Sequence, residues 1–464
     1  MMLHSQKATM LFVVFGIVLS TITGCKKFVE IGPPKTQIVT ATVYSNDATV
    51  ISAVRGMYSE MYNDGFASGN LNGISLLSGL SADEFTLYSS NSDNIQFYSN
   101  SILPTNGTLK TAFWESAYKF IYYANSILEG LSGSTAISNS VQTQSEGEAK
   151  FIRAFCYFYL TNLFGDVPLV LTTDYRKNST SSRTPKKEVY QQILFDLTDA
   201  QNKLPTDYSN EGDLRIRANK WTATAMLARV YLYIKDWTNA DAQATLVINN
   251  TSLFSIESDL TDVFLSTSQE AIWQLIPIVP DQNTNEAQTF ILTGFPSNVA
   301  LSDQLLNVFE PNDKRKTNWI DSINDGTITY YYPYKYKIKS GATVAEFSMV
   351  LRLAETYLIR AEARAQLNDF SAAQSDLNVI RNRAGLPNTI INDRASLLLA
   401  IEHERQVEFF SEWGHRWLDL VRTDRANIIL EPIKSPNWQP TDQLYPIPQS
   451  EISNDPNLTQ NAGY

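Results

Sequence analysis

Glu404, Glu408 and Glu412 stand four residues apart, a spacing that stacks three carboxylates on one face of a helix. Paired carboxylates are the equipment of glycoside hydrolysis, but there the two groups flank the scissile bond, roughly 5 to 9.5 Å apart. One stripe on one helix does not provide that. With Arg405, Arg416 and Arg422 interleaved, the stripe reads as a structural ion-pair network. His403-Glu404 opens like a zinc-protease helix, yet position 407, where the second histidine would fall, is Val. The chain has 3 histidines (His4, His403 and His415), too few and too scattered for a histidine metal centre. No Gly-rich phosphate loop precedes a Lys, no Gly-x-Ser-x-Gly elbow is present, and the acidic stretch 321–325 lacks the EF-hand spacing. The expectation is a protein that is not an enzyme, with no cofactor and no assigned metal.

What remains is aromatic. The chain carries 23 Tyr, 22 Phe and 8 Trp, many outside any helical stripe, and surplus rings in loops form surfaces that stack on flat ligands such as sugars. Two groups stand out. Asp83, Tyr88, Phe97 and Tyr98 lie in the Gly-, Ser- and Asn-rich stretch 63–108, which reads as a long ligand loop. Trp319, Tyr330, Tyr331, Tyr332 and Tyr334 lie in a second irregular stretch and are candidates for an exposed platform, with Asp83 hydrogen bonding to ligand hydroxyls. A formal charge of -11 argues against nucleic acid and against an electrostatic grip on anionic lipid.

These side chains need a frame, and the clearest is the stretch 351–387. Leu351, Ala354, Leu358, Ala361 and Ala365 step by three and four, a break follows at Asn368-Asp369, and Phe370, Ala373, Leu377, Ile380 and Ala384 repeat the stepping up to a stop at Gly385 and Pro387. This predicts an antiparallel helical hairpin. Residues 219–250 read as a second copy, with Ala228, Asp236-Trp237 and Ala240 matching Ala361, Asp369-Phe370 and Ala373 in offset, the pattern of a tetratricopeptide-type repeat. Helices are also predicted after Asn46 or Asp47 (with Val50, Val54, Met57 and Met61 inward), over 110–131, 146–164, 186–204 behind a Thr184-Pro185 start, and 394–411. The fold class is mainly α, a repeat scaffold bearing an irregular, loop-rich lobe with a few short strands such as 271–276. The divisions are 1–24 (leader), 25–45 (extended tether), 46–270 (N-terminal scaffold), 271–347 (insert lobe) and 348–464 (C-terminal hairpins and a proline-spaced tail expected to run extended). With 43% hydrophobic residues, one compact body is expected.

Lys7, an apolar run over 10–19 and small residues before Cys25 have the layout of a secretory leader ending in a lipid-acceptor cysteine. With Cys25 acylated, Cys156 is left as a buried core residue.

In combination these features resemble the SusD/RagB family, surface lipoproteins of Bacteroidota nutrient uptake. The motifs that carry the resemblance are the lipobox at Cys25, residues 163–169, 352–363, 380–386, Glu404-Arg405 with Glu408, 414–422, and the ending from Tyr445-Pro446-Ile447-Pro448 to Tyr464. The resemblance implies a tetratricopeptide-like scaffold, an outer-membrane lipid anchor facing the cell exterior, and a partner of the SusC-like TonB-dependent barrel type. It implies a non-catalytic lid that captures oligosaccharides or other oligomers and passes them inward. A protein-binding repeat adaptor and, less favoured, a surface glycosidase are the alternatives.

Overall fold

The structure is a computed structural model that describes residues 40–464, so the leader, Cys25 and the tether up to 39 lie outside the described residues. Helix α1 (Asp47–Asn63) begins where Asn46 accepts a hydrogen bond from Thr49 N at 3.1 Å, and Val50, Val54, Met57 and Met61 all point into the core. The chain is docked before position 45. Thr40–Val43 is a helical turn, and the Tyr44 hydroxyl donates to the Ser126 carbonyl at 2.8 Å over the space left by Gly130.

The stretch 63–108 is not a long loop. It folds as α2 (Ile74–Ser81), β1 (Phe85–Leu87) and α3 (Ser92–Ser99). Every residue of α2 is buried, so it carries no polar face and shows no amphipathic period to read. A π-helical turn, Leu109–Glu115, leads into α4 (Ser116–Ser132), followed by α5 (Asn139–Phe164), which starts seven residues before the predicted 146. Gly165, at φ 75°, ends α5. Helix α6 (Lys186–Lys203) is capped from a distance rather than by Thr184, because the Asp166 carboxylate accepts from Lys186 N at 2.7 Å.

The first repeat hairpin is α7 (Lys220–Tyr233) and α8 (Trp237–Ile248). Then comes the insert, whose first strand β2 (Ala271–Leu275) is buried throughout. Trp273 is wedged against Phe151 and Phe155, with ring centroids at 5.1 and 5.2 Å. After α9 (Asn285–Phe290), β3 (Val299–Leu301) pairs antiparallel with β1, Phe85 opposite Leu301, and so joins the 63–108 segment to the insert. The hairpin β4 (Ile320–Asn324) and β5 (Thr329–Pro333) sets Ser322 opposite Tyr331, and β6 (Ser348–Arg352) returns to pair with β2.

The second hairpin, α10 (Leu353–Gln366) and α11 (Phe370–Arg383), follows directly. The two hairpins share their turn chemistry. Lys235 and Asn368 adopt φ of 62° and 68°, and Asp236 and Asp369 cap the next helix through Asn239 N and Ala372 N, both at 3.2 Å. Ala228, Ala240 and Ala244 of one meet Ile359 and Ala363 of the other, since small side chains let the helices approach closely. Helices α12 (Arg394–Phe409) and α13 (His415–Arg422) complete the scaffold. In the tail Tyr445 and Ile447 are fully buried, but Gln449–Asn454 is helical. Pro448 sits at that helix's N-cap, where a missing N–H costs nothing, so the prolines permit the helix that their spacing had argued against.

Candidate functional site

The glutamate stripe of α12 is structural. Arg315 Nη1 lies 2.6 Å from Glu404 Oε1 and 2.9 Å from Glu408 Oε2, and all three side chains are fully buried. Arg352 reaches Glu408 at 2.5 Å and Glu412 at 2.8 Å, and Arg383 bridges Glu408 to Glu270. Burial opposes ionisation of Glu408, but Arg383, Arg352 and Arg315 outweigh it and hold its carboxyl well below the usual range. The counter-charges are not the arginines interleaved in the sequence. Arg405 pairs with Asp419 at 2.7 Å, Arg422 with Glu362 at 2.6 Å, and Arg416 with Asp83 at 2.7 Å, because they belong to other helix faces or to α13. Charges distant in sequence, from the insert and α11, reach the stripe instead.

The Asp83 pairing removes one expected ligand residue. Its carboxylate receives both Arg416 Nε and Nη2, at 2.8 and 2.7 Å, and the residue is 7% exposed, so it locks α13 to the end of α2. Its neighbour Glu84 is pushed up to about 8 by burial and then by the Asp83 charge.

Two other expected contacts are also core residues. Trp319 is fully buried, with its indole donating to the Leu260 carbonyl at 2.9 Å and the Lys335 ammonium 4.8 Å from its ring. Phe97 is fully buried against Phe113 and Tyr445. Neither has a ring face to offer, because each fills the gap beneath a short irregular element.

Two of the remaining tyrosines meet. Tyr88 follows β1, and its backbone N–H donates to the Asn298 carbonyl at 2.7 Å, which ties it to the strand β3. From β5, Tyr330 meets Tyr88 edge to face at 5.6 Å, and Phe295, in the loop between α9 and β3, meets both, at 5.7 Å from Tyr88 and 5.5 Å from Tyr330. Three segments distant in sequence thus build one three-ring cluster. Phe295 is 66% exposed and Tyr88 37%, whereas Tyr330 is covered by the other two. Burial first, then Tyr98 and Asp303 close by, raise the Tyr88 hydroxyl pKa, so it stays a neutral donor and acceptor.

Strand alternation sorts the rest. Tyr331 points to the open side, while Tyr332 packs inward against Tyr334 at 5.9 Å, its hydroxyl donating to Asp321 at 3.1 Å. The platform is therefore not the continuous row of tyrosines expected from 330–334: Tyr330 and Tyr332 lie on the covered face. Tyr98 is half-buried under the Lys434 ammonium, 4.5 Å from its ring, and Tyr334 under Lys337 at 4.1 Å. At the hairpin tip Asp325 accepts from Thr327 N and Ile328 N at 2.9 and 2.8 Å and from the Tyr330 hydroxyl at 3.1 Å, which anchors that ring. Phe295 escaped the sequence reading. Its one signal was a lone aromatic among Thr293, Gly294, Pro296 and Ser297.

Two family profiles match the chain, one described as "Starch-binding associating with outer membrane" over residues 27–232 and one as "SusD family" over 307–464. The chain belongs to the SusD/RagB family. Among relatives, a SusD-like protein P25 of Formosa agariphila is 26% identical over 97% of this chain and 99% of its own length. Of solved SusD-like structures, a SusD superfamily protein from Bacteroides vulgatus superposes with a TM-score of 0.80 at 20% identity, covering 91% of this chain and all of that one. The surface glycan-binding protein A from Bacteroides thetaiotaomicron, in complex with laminarihexaose, superposes at 0.74 with 20% identity over 90% and 99% of the two chains. The mainly helical, tetratricopeptide-like scaffold is that of this SusD/RagB fold, and the family that the chain belongs to is one of binding proteins rather than enzymes.

Proposed function

We propose that this protein captures oligosaccharides, or other oligomeric nutrients, on the open rings of Tyr88 and Phe295, which Tyr330 supports from below and beside which Tyr98 lies. It then delivers them to a SusC-like TonB-dependent barrel while anchored to the outer membrane through Cys25. The observation that carries the capture role is the cluster itself: three rings from separate segments, set edge-on with Phe295 and Tyr88 left open to solvent. Ring faces of this kind stack on the C–H faces of sugars, and the Tyr88 hydroxyl stands ready for their hydroxyls. The starch-binding description of the family and the laminarihexaose complex of a structural relative support a glycan as the ligand. A surface glycosidase is disfavoured, since Glu404, Glu408, Glu412 and Asp83 are all held in buried ion pairs.

Calorimetric titration against soluble starch and laminarin fragments, extended to a wider glycan and peptide panel, tests the capture role. Tyr88→Ala and Phe295→Ala should each weaken binding by about tenfold or more, in line with the cost of removing an aromatic hot spot, with unchanged circular dichroism. Wild-type affinity in both variants would sink the assignment. Co-purification of a barrel with the Cys25-bearing chain, and its loss on Cys25→Ser, tests the delivery role.

A further inference from the structure

A concavity lies in the scaffold and shares no residue with the aromatic cluster. Helices α7, α8, α10, α12 and α13 enclose a cavity of about 540 Å³, inside the range of roughly 300–1,000 Å³ of small-molecule pockets. Its apolar wall is the half-buried Trp237 with Leu398 and Leu399.

The polar lining is short of acceptors at two points. Arg405 is 2% exposed, and although its Nε donates to Asp419 at 2.7 Å, its Nη1 finds no acceptor among the described residues. Arg425 Nε lies 3.2 Å from Glu402 Oε2, close enough for an ion pair but without hydrogen-bond geometry. Both nitrogens are closed to a water-sized sphere, so the polar groups open to a ligand are the exposed parts of Arg425, Glu402 and Asp424. Charge narrows its nature. Arg405 faces Asp419, Arg422 faces Glu362, Arg425 faces Glu402 and, at the rim, Lys235 lies 3.8 Å from Asp424. The lining is neutral as a whole, so a strongly anionic or cationic ligand would leave one partner of a pair uncompensated. A neutral ring with many hydroxyls suits this lining: an oxygen for the exposed part of Arg425, O–H groups for Glu402 and Asp424, and a C–H face for Trp237.

We propose that this cavity is a second ligand site, distinct from the aromatic cluster, for a neutral saccharide of one or two rings. The proposal does not rest on the first site binding anything.

The test uses the chain labelled with 5-fluorotryptophan, the Trp237 resonance being identified by its loss in Trp237→Phe. Glucose, cellobiose, laminaribiose and the anion glucuronate are titrated into the millimolar range. Expected is a saturable shift of the Trp237 signal with a neutral sugar, retained in the Tyr88→Ala/Phe295→Ala double variant. Ala395→Trp, at an exposed position on the cavity rim, should weaken that shift by about tenfold or more without touching the ion pairs beneath. No shift with any neutral sugar would overturn the proposal. So would a shift that survives Ala395→Trp, one that vanishes in the double variant, or one stronger for glucuronate than for glucose.

Discussion

Replacing Glu408 by Gln keeps the side-chain shape and removes one charge from the centre of the scaffold. Glu408 has no exposed surface and accepts from Arg352 Nη1 at 2.5 Å, Arg315 Nη1 at 2.9 Å and Arg383 Nη2. In the variant three guanidiniums share a neutral amide, and the amide's own N–H₂ is turned toward donors. Removing one partner of a buried ion pair costs about 3–5 kcal/mol. Glu270, Glu404, Glu412 and Asp313 still neutralise part of the positive charge, so a loss near ~3 kcal/mol is expected, a large share of the ~5–15 kcal/mol that holds a typical domain folded. Urea unfolding followed by far-UV circular dichroism measures it, with Asp174→Asn as the control, since the exposed Asp174–Arg176 pair should leave the curve unmoved. The pH dependence follows the same cause. Because the folded-state pKa is depressed, the stabilisation from Glu408 is present above the ordinary carboxylate range and is lost only as pH falls well below it. An unfolding curve for Glu408→Gln that overlays the wild type would refute the network as a support of the fold. Sustained release of product from an oligosaccharide, abolished by Glu408→Gln, would refute the non-catalytic reading of the stripe.

Trp319→Phe removes the indole donor to Leu260 and should lower stability by roughly 1–3 kcal/mol. Glycan affinity in a titration should stay unchanged, and a loss of binding with intact stability would return Trp319 to the site. Gly79→Ala would set a Cβ 2.4 Å from the Phe85 ring and 2.7 Å from Glu84 Oε2, so unfolding should show a cost of about 1–3 kcal/mol from overpacking. Glu84, raised to about 8 by burial, binds a proton in the folded state that the unfolded chain has released above about 4.5. Its contribution is therefore present at acid pH and is lost as pH rises through 8, and Glu84→Gln should flatten that part of the stability profile measured from pH 5 to pH 9.

How much could be read in the chain depended on whether a residue's role is local. The hairpins were legible because a helix turns its apolar positions to one side every three or four residues, and Asp236 and Asp369 cap the next helix through contacts three residues away. The inward face of α1 and the burial of Cys156 followed in the same way. The stretch 63–108 hid its structure because α2 is buried on every side and β1 is completed by β3, more than two hundred residues later. The carboxylate stripe was visible as charge on one face, but its partners Arg315, Arg352 and Arg383 were not, since no local rule carries the insert across to α12.

The sequence alone therefore determined the repeat scaffold and its turns, both matters of short-range spacing. It also supplied the rings of the site without saying which of them face water. Trp319 and Phe97 are as aromatic as Phe295, yet the first two fill the core and the third stands open, because exposure is set by what folds over a residue. Only the tertiary structure decided that, by pairing β1 with β3 and bringing Tyr330 of β5 beside Tyr88.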